Sequence, residues 1–180
     1  MTNNLATTYS RPLIILHWGI AALVFALLAS VELHEAFPEG SAPRALLIKS
    51  HFWLGLLIGL LTLVRLGLRF GQTLTPITPA PALWQARLAS AVMGAFYIIL
   101  LLMPLLGYAL INAKGFDLSL LGLSLGHWVE KSKELADQIG EIHETLGNVF
   151  IALVALHTAA ALYHHHVLKD STFSRVRPPA

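Results

Sequence analysis

Four stretches of this chain are apolar for about twenty residues at a time, the length a helix needs to cross the hydrocarbon of a bilayer. They run from about Pro12 to Val31, Ser50 to Leu68, Leu88 to Ile111 and Thr145 to Leu168 (12–31, 50–68, 88–111 and 145–168). The first contains no charge, and the second contains only Arg65, near its end. Backbone N–H and C=O groups find no partners in lipid, so each stretch is expected to be an α-helix. The chain as a whole is 56% apolar and 12% charged over 180 residues, whereas soluble domains carry about 25% charged residues. The fold expected is all-α, an integral membrane four-helix bundle formed by residues 1–180 as a single domain. The first stretch is longer than the apolar core of a signal peptide and has His17 and Trp18 near its start, so it is expected to be a retained helix. Pro104, with Gly107 nearby, is expected to kink the third.

The connections agree with this count. Glu35 to Arg44 contains Pro38, Gly40 and Pro43, and Gly71 to Ala82 holds three prolines, as turns and extended linkers do. Leu125 to Ile142 mixes apolar and charged residues at helical spacing, which predicts a short amphipathic helix on the membrane surface before the fourth span. Four spans place both termini on one side, side A. That side holds Arg11, Arg65, Arg69, Arg87, Lys169, Arg175 and Arg177 against one acid, Asp170. Side B holds five basic residues, among them Lys49, Lys114, Lys131 and Lys133, against nine acids. Cations near span ends mark the cytoplasmic face, so both termini are expected to be cytoplasmic and side B periplasmic, in a bacterial inner membrane. The basic residues are scattered between apolar runs and form no stripe, which argues against nucleic acid as a partner.

There is no cysteine, which excludes disulfides, zinc–thiolate sites, iron–sulfur clusters and thioether-linked haem. There are nine histidines. Polar groups within a membrane are costly and are usually functional. His17 lies near side A on the first helix, and His51 near side B on the second. On the fourth helix His143 lies at side B and His157 is 14 residues further on. That is about 21 Å along the axis, close to four full turns, so both share one face. The depths sort these residues into two pairs, His17 with His157 and His51 with His143, each joining two helices at one level. Such pairs suit bis-imidazole ligation of a haem iron inside a bundle. Gly55, Gly59, Gly147, Ala160 and Ala161 lie about one or two turns beyond these histidines and leave flat space, although close helix packing also selects small residues. Arg11, Arg65 and Lys49 lie at depths suited to haem propionates. His34 and His127 fall in side-B loops. Of His164, His165 and His166 at the side-A end, His164 is the candidate for handling a proton at a quinone pocket; interfacial capping of the helix is the simpler alternative.

Three segments carry a family resemblance: Tyr9 to Trp18 (YSRPLIILHW), His51 with Arg65 to Arg69 (RLGLR), and His143 to Asp170 (HETLGNVFIALVALHTAAALYHHHVLKD). In these, and in helix order over nearly the whole chain, the sequence resembles the bacterial cytochrome b-561 family of small dihaem membrane proteins. The resemblance implies two b haems, one on His17 and His157 and one on His51 and His143. It also implies exchange with ubiquinone and, in some members, oxidation of superoxide at the periplasmic face. The function expected is electron transfer from a periplasmic one-electron donor, with superoxide a candidate, to ubiquinone. A structural or assembly protein without cofactor would have little reason to bury paired histidines, and two further rivals stand beside the electron-transfer reading. One is a haem-bearing anchor subunit that takes electrons from a partner dehydrogenase or hydrogenase. The other, of another class, is a transporter using the histidines for a transition metal or protons.

Overall fold

The structure is a computed structural model that describes residues 7–120, 123–124 and 126–177. Four helices dominate it: α1 (Arg11–Leu33), α2 (Ala42–Phe70), α3 (Leu83–Ala113) and α4 (Lys133–Tyr163). All four are long and apolar enough to cross a membrane. With 29 to 31 residues in α2, α3 and α4, these helices extend about 45 Å, enough for the hydrocarbon and the headgroup layers together. The apolar runs therefore mark only part of α2, α3 and α4. The ends, such as Arg44 and Lys49 in α2, are polar residues that remain helical where water and headgroups begin.

The helix starts follow local chemistry. Pro12 and Pro43 stand in the first turns of α1 and α2, where a missing N–H costs nothing. Gln85 accepts a hydrogen bond from the Ala82 N–H at 2.9 Å at the start of α3. The Ser132 hydroxyl caps α4 by accepting from the Leu135 N–H at 3.3 Å.

The amphipathic stretch expected to lie as a separate helix on the membrane surface is instead the first turns of α4 itself. Its proposed first residue, Leu125, lies outside the described residues, and helix begins only at Lys133. No proline interrupts the chain between Ser132 and His143, so the helix capped at Ser132 runs on into the span. Its apolar face packs on protein: Ala136 is buried, and Gly140 lets Leu110 of α3 approach. Ahead of it, Ser119–Leu120 (β1) and Leu123–Ser124 (β2) form a short antiparallel ladder.

In the bundle α1 packs on α2, α2 on α3, and α3 on α4. The central core is one residue or two from each helix: Ile20 and Val24, Ile58, Ile99 and Phe150. Leucines, isoleucines and phenylalanines such as Ile15, Phe25, Leu60, Leu63 and Ile98 are more than half exposed on the outside. In water that surface would drive aggregation; in a bilayer it is the solvated face. α3 runs unbroken through Pro104, whose missing N–H leaves the Leu100 carbonyl without its helical donor. Gly59 of α2 lies opposite, where a Cβ would come within 2.9 Å of the proline ring and 3.7 Å of that carbonyl.

Candidate functional site

The two histidine pairs expected from depth are both assembled. His17 of α1 faces His157 of α4 with ring centroids 6.3 Å apart, and His51 of α2 faces His143 of α4 at 6.2 Å. The rings are steeply inclined to each other, by 77° and 69°. Two imidazole nitrogens bound on opposite sides of one metal, at about 2 Å each, put their ring centroids roughly 6 Å apart. Both pairs stand at that spacing. The apolar layer of Ile20, Val24, Ile58, Ile99 and Phe150 lies between the two levels, with Phe150 seven residues from each α4 histidine. Phe96 of α3 packs edge-on to both Phe150 and His157, with centroids 5.8 and 5.3 Å away.

The space around the side-B pair fits a flat cofactor. A cavity beside His51 and His143 is walled by Gly55 of α2, Met103 and Gly107 of α3, and Phe150 of α4. A Cβ on Gly107 would stand 3.5 Å from the His143 ring. His143 Nδ1 is buried with no hydrogen-bond partner among the described residues, which suits a partner from outside the polypeptide. The His51 Nδ1–H is directed at the Leu27 carbonyl, 3.5 Å away, an orientation that leaves Nε2 as the free ligand. The histidines meet in twos, and among the described residues no three His, Asp or Glu side chains cluster to hold a lone metal ion.

The other histidines are placed differently. His34 folds back on the Val31 carbonyl, and exposed His127 lies 2.5 Å from Asp117. His165 and His166 meet edge-on at the end of α4, and His165 also lies against Phe173. His164 opens a π-turn, His164–Leu168, that ends α4. Its Nδ1–H donates to Asp170 at 2.5 Å, and the Asp170 side chain is only 3% exposed. The second Asp170 oxygen accepts from the Thr172 N–H at 2.8 Å. This His–Asp pair is not legible in the sequence, where Asp170 is merely the single acid on side A. The six-residue spacing pairs them only because the helix widens into a π-turn and Lys169 then turns left-handed, with φ 53°.

Side A is tied together by its termini. The Trp18 indole N–H donates to the Val176 carbonyl at 2.7 Å, the Tyr9 N–H to the Arg175 carbonyl, and the Arg175 guanidinium to the Thr75 carbonyl. On side B, fully buried Asn112 accepts from the Trp128 N–H at 3.0 Å, and the Tyr108 hydroxyl donates to the Gly126 carbonyl at 2.6 Å. These contacts tie Gly126 and Trp128 to α3.

The family model for prokaryotic cytochrome b561 matches residues 8–179. The chain belongs to the prokaryotic cytochrome b561 family. It is 35% identical over 170 residues to cytochrome b561 homolog 1 of Escherichia coli, covering 94% of this chain and 97% of that protein. It is 31% identical over 170 residues to the probable superoxide oxidase CybB of Yersinia pestis, covering 94% and 96%. It is 29% identical over 177 residues to cytochrome b562 of Cereibacter sphaeroides, covering 95% and 96%. This cytochrome is thus a multi-pass membrane haem protein of electron transfer, with b-type haem as its cofactor.

Proposed function

We propose that this cytochrome holds two b haems, one between His17 and His157 and the other between His51 and His143, and moves electrons from a periplasmic donor to ubiquinone. The observation that carries the proposal is the pair of 6.2 and 6.3 Å imidazole separations at two depths of one bundle. Haem held at these two levels, whose α4 histidines lie about 20 Å apart, would supply one-electron carriers. The polypeptide would set their spacing, offer the four imidazole nitrogens that hold them and keep water from the layer around Phe150.

Each end has its own task. Side A is the cytoplasmic face in this reading, because its span ends hold the arginines. There His164, steadied by Asp170, handles the proton that accompanies ubiquinone reduction. Side B is the periplasmic face, and superoxide is the candidate donor by likeness to the relative from Yersinia pestis. Lys114, which lines the side-B cavity, is the cation placed to attract a small anion there against the surrounding acids.

The test is a reduced-minus-oxidised spectrum with haem quantitation, followed by rapid mixing of the purified protein with superoxide and with ubiquinone. The proposal expects two haems per chain, reduction by superoxide and reoxidation by ubiquinone. Two haems with no response to superoxide would move the donor to a partner protein. Reoxidation by no quinone would refute the side-A assignment.

A further inference from the structure

Arg65 is a charge within the second membrane helix, about one and a half turns from its side-A end at Phe70. A cation at that depth ordinarily snorkels to the headgroups. Arg69, one turn further on, does so: it donates to the Gln72 carbonyl at 2.8 Å and lies over the Tyr9 ring. Arg65 turns inward instead. One of its nitrogens donates to the Leu13 carbonyl of α1 at 3.0 Å. That carbonyl lies one turn before His17 on the same helix, so the guanidinium is held at the level of the His17–His157 pair.

The guanidinium has five N–H donors and Leu13 takes one. Among the described residues no carboxylate lies within ion-pair distance of it. A half-buried arginine aimed into a bundle, with donors to spare and no anion, is a fork prepared for a carboxylate from outside the chain. Among the described residues side B has no such inward-turned cation: Lys49, two residues before His51, is exposed. Arg44 is spent on the His34 and Phe37 carbonyls, and Lys114 stands exposed at the cavity mouth, where water and salt screen it.

We infer that Arg65 is the counter-charge for an acidic group of the side-A haem, and that it holds the potential of that haem above that of its side-B partner. Adding an electron to an iron removes one unit of positive charge, and a fixed cation nearby in low dielectric favours the reduced form. The asymmetry between Arg65 and the screened Lys114 then gives transfer its direction, from side B to side A. The inference rests on the proposed haem on His17 and His157.

The experiment is a spectroelectrochemical titration of the full-length, haem-loaded protein as wild type, Arg65→Gln and Arg65→Lys. Single His17→Ala and His51→Ala variants assign each component of the titration. Arg65→Gln is expected to lower the side-A midpoint and leave side B unchanged, and Arg65→Lys is expected to restore most of the difference. Loss of the side-A haem in Arg65→Gln alone, with retention in Arg65→Lys, also supports a charge role. Identical titrations of Arg65→Gln and wild type, equal shifts of both components, or haem loss in both Arg65 variants would overturn the inference. If His17→Ala retains two haems, the underlying ligand assignment fails, whatever the arginine variants do.

Discussion

Replacing Asp170 by Asn changes one charge and almost no volume, and it tests whether the end of α4 is held by a charged pair. The carboxylate is 3% exposed and sits 2.5 Å from His164 Nδ1. An asparagine oxygen can still accept from the Thr172 N–H, so the backbone turn is kept. What is lost is the difference between a charge-assisted hydrogen bond and a neutral one, about 1–2 kcal/mol. For a chain of this size that lowers the thermal midpoint by roughly 2–8 °C. Burial raises the pKa of the Asp170 carboxyl, but hydrogen bonds from His164 and Thr172 outweigh it and the net direction is downward. A carboxyl whose folded pKa is depressed contributes stability above its unfolded pKa of about 4, and loses it as pH falls through the folded value. The gap between wild type and Asp170→Asn should therefore be full at pH 7 and close as the pH falls below about 4. The assay is thermal unfolding of the haem-loaded protein in detergent, followed by circular dichroism and haem absorbance at both pH values. A variant as stable as wild type at neutral pH, or a gap of equal size at both, would show that the pair is not a charged contact.

Four further outcomes are expected. Gly107→Leu should crowd the His143 ring and remove the side-B haem alone, read as a fall from two haems per chain to one. Tyr108→Phe deletes the bond to the Gly126 carbonyl and should cost about 1 kcal/mol in thermal unfolding, with haem content unchanged. Gly59→Val puts a side chain where even a Cβ would meet the Pro104 ring at 2.9 Å, and should lower stability by about 1–3 kcal/mol. His164→Gln should leave both haem spectra intact and slow ubiquinone reduction in rapid mixing; an unchanged rate would return His164 to a capping role.

How much of this was legible in the sequence depended on length scale. The four spans were visible because lipid demands long apolar runs, and the histidine levels followed because a helix rises by a fixed amount per residue. His143 and His157, 14 residues apart on α4, thus find partners on two other helices at matched depths. The helix ends were less visible, since Lys133 to Ile142 is polar yet continues the span inward from Ser132. Contacts set by tertiary geometry left no periodic signal. Asp170 reaches His164 only through a π-turn and a left-handed Lys169, and Trp18 reaches Val176 from the far end of the chain. Arg65 was visible as a charge within a span, but its inward aim toward Leu13 depends on how α1 and α2 pack.

The most direct test of the account is haem stoichiometry in the four single variants His17→Ala, His157→Ala, His51→Ala and His143→Ala, with spectra that distinguish the two components. The account predicts that His17 and His157 variants lose one and the same component, and that His51 and His143 variants lose the other. Loss shared across levels, as between His17 and His51, or full haem content in all four, would contradict it.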